Sequence, residues 1–383
     1  MLMKKLIRIS TVPSSLRTLL KGQLKFMSHY FEVIGVASDG EALKEVMQNE
    51  GVKTHSIEMT RTISPFKDLI STIKLYRFLK KEKPFIVHTH TPKAGTLGML
   101  ASRLAGVPHR LHTIAGMPLL ETKGAKRMLL DSVEKFTYKN ATLVLPNSLG
   151  LKNIAIENKY APKDKLKIIG NGSSNGIDVK HYDSELISKE EREHLKSELK
   201  ISNTDIVFIF IGRMVKDKGV NELVAAFDKL SKMHKGCKLI LMGPRENALD
   251  PLDPETETLI INNTNIIEVG LQKDIRPFVA ISSVLVHPSY REGFPNVVLQ
   301  GSCMGLPCIV SDINGCNEII ENEFNGLIVP PKNIEALKNA MERILKDPTI
   351  INEMAENSRS NIVKKYQQEY IWKELLTLYQ SLT

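Results

Sequence analysis

The strongest constraint on the fold is a rhythm. Short apolar runs of strand length, each bounded by turn residues, alternate with longer segments of helical periodicity. KLIRIS, FEVIGVAS, FIVHTHT, HRLHTI, ATLVLPNS and KLKIIG occupy the first part, separated by helical patterns from Arg17 to His29, from Gly40, from Lys93 to Ala105 and from Gly124 to Tyr138. The charged stretch KEEREHLKSEL breaks the rhythm, and a second series follows: DIVFIFIG, KLILMG, NIIEVG, SSVLVHPS, LPCIVS and GLIVPP. This alternation predicts α/β architecture, with parallel sheets covered by helices on both faces. A chain of 383 residues exceeds what one core organises. Two doubly wound, Rossmann-like domains are therefore expected over 1–180 and 181–365, with a helical segment, 366–383, crossing back to the first. No short tandem repeat points to a solenoid.

Open parallel sheets bind ligands beyond the carboxyl ends of their strands. Two such domains facing each other across a cleft direct the search to the loops that follow strands.

Charge divides the chain. Residues 1–180 carry 29 Lys and Arg against 14 Asp and Glu, and the remainder carries 23 against 29. A basic half attracts nucleic acid, anionic lipid or phosphorylated substrates, or is simply a solvated surface, and charge alone does not choose. The four cysteines lie in the second half without metal-ligand spacing, which suits a reduced, cytoplasmic compartment. The start, MLMKKLIRIS, reads as a first strand rather than a leader, and no window approaches the ~20 apolar residues of a membrane-spanning helix. Membrane contact would be peripheral. The segment from Pro65 to Lys83 sets Lys67, Lys74, Arg77, Lys80, Lys81 and Lys83 among apolar residues in a helical pattern. It suits either docking on an anionic membrane or packing with a basic outer face.

Two segments carry the chemistry. In FIGRMVKDKG, Gly212 follows an apolar strand, Arg213 and Lys218 come next, and a helix begins at Val220. Two cations at a helix mouth form a diphosphate site or a solvated loop. In HPSYREGFPNVVLQ, a polar loop after a strand leads to a helix near Pro295, whose first turn presents free amides. Glu292 could accept bonds from sugar hydroxyls. Gln300, within the helix, reads as a ribose ligand or as a partly buried helix residue.

The pair Arg213 and Lys218, followed some 75 residues later by REGFPNVVLQ, resembles the family 4 glycosyltransferases of the GT-B fold, and NGID at Asn175 to Asp178 matches where their first domain closes. Within that family HTHTPKAGTLGMLASRLAGVP, HTIAGMP and LPNSLGLK look like the bacterial branch that builds capsule, O-antigen and exopolysaccharide units. The resemblance implies a retaining, metal-independent hexosyltransferase. It would move a hexose or N-acetylhexosamine from a nucleotide-sugar, with UDP as carrier, to a saccharide on a polyprenyl diphosphate at the inner face of the cytoplasmic membrane. No cofactor, metal or nucleic acid is implied. Arg213 and Lys218 would take the donor diphosphate and Glu292 the donor sugar. Gly212, Phe294, Pro295 and Asn296 would line the donor pocket, and Gln300 would meet the ribose where relatives carry a second glutamate.

Other positions depart from the family pattern. Relatives carry a histidine where this chain has Ala115 and Gly116, leaving His112 as a catalytic candidate or a structural histidine. Where relatives have a glycine pair after the first strand, Ser14 and Ser15 stand in TVPSSLRTLLKGQ as acceptor contacts. His88, His90 and Lys93, expected to face the cleft, are read as ligands of the acceptor diphosphate or as structural residues. The competing classes are a nucleotide-sugar epimerase on the same fold, which would need paired acid and base residues, and a nucleic-acid-binding module, for which no motif is present.

Overall fold

The computed structural model describes residues 3–246 and 250–382. Met1, Leu2 and Thr383, at the ends of the expected first strand and last segment, lie outside them. The chain divides into two compact units, Met1–Gly176 with Gln368–Thr383, and Ile177–Gln367.

The first unit contains β1 (Lys5–Ile9), β2 (Glu32–Ala37), β3 (Lys53–Ser56), β4 (Ile86–Thr89), β5 (His109–Ile114) and β6 (Leu143–Pro146). They form one parallel sheet in the order β3-β2-β1-β4-β5-β6. Strand periodicity divides its residues between two cores. Ile7, Ile9 and Val87 pack on one face with Leu75 and Leu79 of helix Pro65–Glu82. Leu6, Ile86 and Leu111 pack on the other face with Ile371, Leu375 and Tyr379 of helix Gln368–Ser381. The last helix thus completes the core of the first unit, and Trp372 donates its indole N–H to Asn175 Oδ1 (2.7 Å).

The second unit contains β7 (Ile206–Ile211), β8 (Cys237–Met242), β9 (Ile266–Gly270), β10 (Val284–His287), β11 (Cys308–Ser311) and β12 (Gly326–Val329), in the parallel order β12-β11-β10-β7-β8-β9. Phe208 and Phe210 face one core, Val207 and Ile209 the other. Both sheets follow one plan: the direction of winding reverses between β1 and β4, and again between β7 and β10. Those reversals are the places where doubly wound sheets open a crevice for ligands.

Three local expectations are corrected. KLKIIG, residues 165–170, comes at the end of a 3-10 turn, Lys163–Lys165, and makes a single bridge from Leu166 to Val144 rather than a strand. β3 is an additional strand whose sequence, KTHS, is polar because it lies mostly exposed at the sheet edge. The pattern from Arg17 to His29 is two helices, Pro13–Leu19 and Gln23–Ser28. No helix among the described residues is long and apolar enough to cross a membrane.

Candidate active site

The crevice of the second sheet is built by the loops after β7 and β10, which are joined at several points. Arg291 pairs with Asp217 (2.6 Å), and the Tyr290 amide donates to the Asp217 carbonyl (2.9 Å). Gly219, at φ +72°, lies so close to the loop after β10 that an added Cβ would stand 2.0 Å from the Pro288 carbonyl oxygen.

This junction brings Lys218 to Glu292. Lys218 Nζ donates to Glu292 Oε1 (2.5 Å), and His287 Nε2, at the end of β10, bonds the same oxygen (2.8 Å). Burial by itself raises the Glu292 carboxyl, but the Lys218 ammonium and the His287 ring outweigh it and hold the group well below the usual carboxylate range. With Oε1 occupied twice, Oε2 is the atom left for a ligand hydroxyl. His287 is not singled out by the sequence: a lone histidine ending an apolar strand reads as core. The ring is buried and nearly parallel to Phe210 (12°, centroids 6.5 Å apart).

Gly212 directly follows β7 and is half-buried, and Arg213 beyond it is exposed and pairs with Glu246 (2.8 Å). Its guanidinium can exchange that carboxylate for a ligand anion without leaving water. Phe294 is buried against Tyr366 (centroids 5.3 Å apart), forming the wall rather than the surface of the crevice. Pro295 caps helix Asn296–Cys303 and accepts bonds from the Val298 and Leu299 amides, so Asn296 and Val297 open the helix with amides that have no intrahelical acceptor. Gln300, one turn along, donates to the Tyr182 hydroxyl (2.7 Å). Asn314, also missed in the sequence, donates its side-chain amide to the Glu292 carbonyl and fixes the loop from the β11 side.

In the first unit the structure revises several expected roles. His88 is buried and bonds Tyr379 (2.6 Å) and Thr113 (2.7 Å). His90 is buried and accepts from Arg8 (2.8 Å), whose other bond goes to Gln23 (2.6 Å). Both rings therefore point into the core under the last helix, not toward a ligand. Lys93 is held by Asp68 of helix Pro65–Glu82 (2.6 Å). His112 bonds Thr89 (2.8 Å) and fits only because residue 95 is glycine, where a Cβ would lie 2.3 Å from the ring. Its ring is buried, and this bond and this packing are what the structure gives it. Among the described residues no group of three His, Cys, Asp or Glu side chains could hold a metal ion. Ser14 and Ser15 are half-buried on the short helix after β1. Beside them Thr91, at φ +72°, is a β-branched residue in a left-handed conformation, held by the Thr11 hydroxyl (2.8 Å).

These buried rings make the first unit acid-sensitive. Burial, offset slightly by the Thr89 bond, lowers His112 from 6.5 to about 4. The unfolded chain then binds this proton more readily than the folded one. The contribution is complete above 6.5 and is lost as pH falls to 4, an effect of about 3 kcal/mol at the acid end. The melting temperature should fall across that window, and less steeply in His112→Asn, which keeps an acceptor for Thr89. Equal slopes would refute the assignment.

Two doubly wound units, with cations and helix amides gathered at the reversal of the second sheet, define a GT-B transferase. Residues 191–361 match the family described as glycosyl transferases group 1, and residues 24–172 match the glycosyl transferase 4-like domain. The capsular polysaccharide biosynthesis glycosyltransferase CapM of Staphylococcus aureus is 31% identical over 379 residues, 99% of this chain and 97% of that protein. UDP-Gal:alpha-D-GlcNAc-diphosphoundecaprenol alpha-1,3-galactosyltransferase of Escherichia coli is 32% identical over 80% of this chain and 78% of its own length. The crystal structure of Anabaena HepE in complex with UDP shares the fold, with a TM-score of 0.82 at 16% identity over 98% of this chain and 100% of that one. The chain belongs to the group 1 glycosyl transferases, and it is a glycosyltransferase.

Proposed function

We propose that the chain transfers a hexose or N-acetylhexosamine from a UDP-sugar to a saccharide borne on a polyprenyl diphosphate, with retention at the anomeric carbon and without a metal ion. The observation that carries this reading is the Lys218–Glu292 pair beside the open amino end of helix Asn296–Cys303, at the winding reversal of the second sheet. The names of the Staphylococcus aureus and Escherichia coli relatives support the acceptor class, and the UDP bound to HepE supports the carrier.

Lys218, Arg213 and the amides of Asn296 and Val297 would receive the diphosphate. Glu292 Oε2 would accept from a sugar hydroxyl, and Gln300 would turn from Tyr182 to the ribose. The bond from the anomeric carbon to the leaving phosphate oxygen breaks, while the acceptor hydroxyl oxygen bonds that carbon from the same face. Its proton passes to the departing phosphate. Fixed cations and amides stabilise the charge growing on the leaving group, the role a metal would otherwise fill. On the acceptor side, Ser14, Ser15 and the strained turn at Thr91 lie at the reversal of the first sheet and would meet the incoming saccharide.

Thermal unfolding with UDP, GDP and ADP tests this. UDP should stabilise the protein with or without magnesium, by about 2.7 kcal/mol at a hundredfold excess over Kd, and Arg213→Ala should abolish the shift. No shift with any nucleotide would overturn the donor site, and a shift only with magnesium would overturn metal independence.

A further inference from the structure

Helix Pro65–Glu82 carries two stripes. Ser71, Thr72, Leu75 and Leu79 are buried against the first unit, and Asp68 ties the helix to Lys93. The opposite stripe is apolar: Phe66, Leu69, Ile70 and Ile73 recur at spacings of three and four, and all are exposed, Phe66 by 76% and Leu69 by 58%. Ile63, just ahead of the helix, is 62% exposed. The sequence alone leaves this helix either docked on an anionic membrane or packed with a basic outer face. In its first half that face is instead a ridge of large apolar side chains.

The surroundings show what this ridge meets. The helix leads from β3 to β4 of a parallel sheet, so its first half lies at the carboxyl edge, the side of the acceptor loops. Helix Gly124–Asn140 begins at the same edge and exposes Met128 and Leu129. Arg61, Lys67, Lys74 and Lys126 are exposed among these residues, while the one acid between residues 61 and 74, Asp68, is consumed by Lys93. A convex apolar ridge flanked by cations of one sign repels a second copy of itself, since a twofold contact would set the same cations against each other. It complements an anionic bilayer, with an apolar layer beneath a phosphate layer.

We propose that this face docks the first unit on anionic phospholipid, with Phe66, Leu69 and Ile70 entering the boundary between headgroups and acyl chains and Arg61, Lys67 and Lys74 meeting the phosphates. The proposal deepens the reading of a lipid-borne acceptor and rests on it only for its purpose, because docking is measured without nucleotide or acceptor. Flotation should show binding to vesicles containing phosphatidylglycerol and much weaker binding to pure phosphatidylcholine. Phe66→Asp/Leu69→Asp should lower binding roughly tenfold or more, and Lys67→Glu/Lys74→Glu should erase the preference for anionic lipid. Both pairs are exposed, so melting temperature and the UDP-induced shift should match wild type, separating loss of docking from loss of the donor site. Absence of wild-type binding, or equal binding by wild type and Phe66→Asp/Leu69→Asp, would overturn the proposal. So would sedimentation equilibrium showing a wild-type dimer that the double variant converts to monomer, since the ridge would then be an interface between copies.

Discussion

Lys218→Ala is expected to lower turnover by about a hundredfold to a thousandfold, the usual cost of removing one fixed donor to a developing anion. The effect should have two separable parts. Lys218 and Glu292 are each largely buried, with side chains 17% and 14% exposed, so deleting the cation strands a carboxylate with only His287 beside it. Breaking such a pair costs about 3 to 5 kcal/mol of stability. In the native protein Glu292 is held low, so its contribution is present at neutral pH and is lost progressively as pH falls below the ordinary value of 4.5. Without Lys218 the largest counterweight to burial disappears, the carboxyl moves upward, and the cost is felt at pH values where the unfolded chain is ionised. Lys218→Ala/Glu292→Gln removes the stranded charge. That double variant should recover most of the melting temperature and none of the turnover. Turnover within a few-fold of wild type in Lys218→Ala would refute the donor-diphosphate role.

The fold was legible wherever burial is written locally. Strands covered on both faces must be apolar, and eleven such runs were readable as strands or strand fragments; β3 escaped because an edge strand such as KTHS has no apolar face to show. KLKIIG misled for the converse reason: its apolar residues fill the core without pairing, apart from one bridge. In the loops after β7 and β10, Arg213, Lys218 and Glu292 stand out in the sequence by residue type and order along the chain, and the fold brings Lys218 and Glu292 together. Their other partners do not stand out. His287 gains its meaning from sharing one oxygen with Lys218, and Asn314 reaches the Glu292 carbonyl from the loop after another strand.

The first unit shows the limit most clearly. His88 and His90 share a parity on and just beyond β4, which places both rings on the face that the last helix covers. The partner that takes His88 out of reach of a ligand, Tyr379, is 291 residues away. Lys93 is likewise claimed by Asp68 across 25 residues. Cations and histidines after a strand look alike whether they meet substrate or one another, and only tertiary pairing separates the two. Thr91 illustrates the reverse case: nothing in its identity announces a positive φ, yet the strain sits at the winding reversal, the place where doubly wound sheets in general open a crevice.

Gly219→Ala is expected to destabilise the second unit by about 3 kcal/mol or more and to disable the donor site in the same step. At φ +72° a side chain carries a conformational penalty of about 1 to 2 kcal/mol before any contact is considered. The new Cβ would also stand 2.0 Å from the Pro288 carbonyl oxygen, so the loops after β7 and β10 must separate. Lys218 immediately precedes the glycine and Glu292 lies four residues beyond Pro288, so separation of the loops pulls this pair apart. The control is Gly51→Ala, at φ +66° with nothing within 4 Å of the added atom, which should cost only about 1 kcal/mol. Melting temperatures and UDP-induced shifts of the two variants would distinguish backbone strain from loop contact. Gly51→Ala should melt slightly lower and keep its full nucleotide shift, whereas Gly219→Ala should melt roughly 6 to 12 °C lower and lose it. Equal melting temperatures would mean that the loops yield without cost, and the close approach at Pro288 could not then be what sets Lys218 against Glu292.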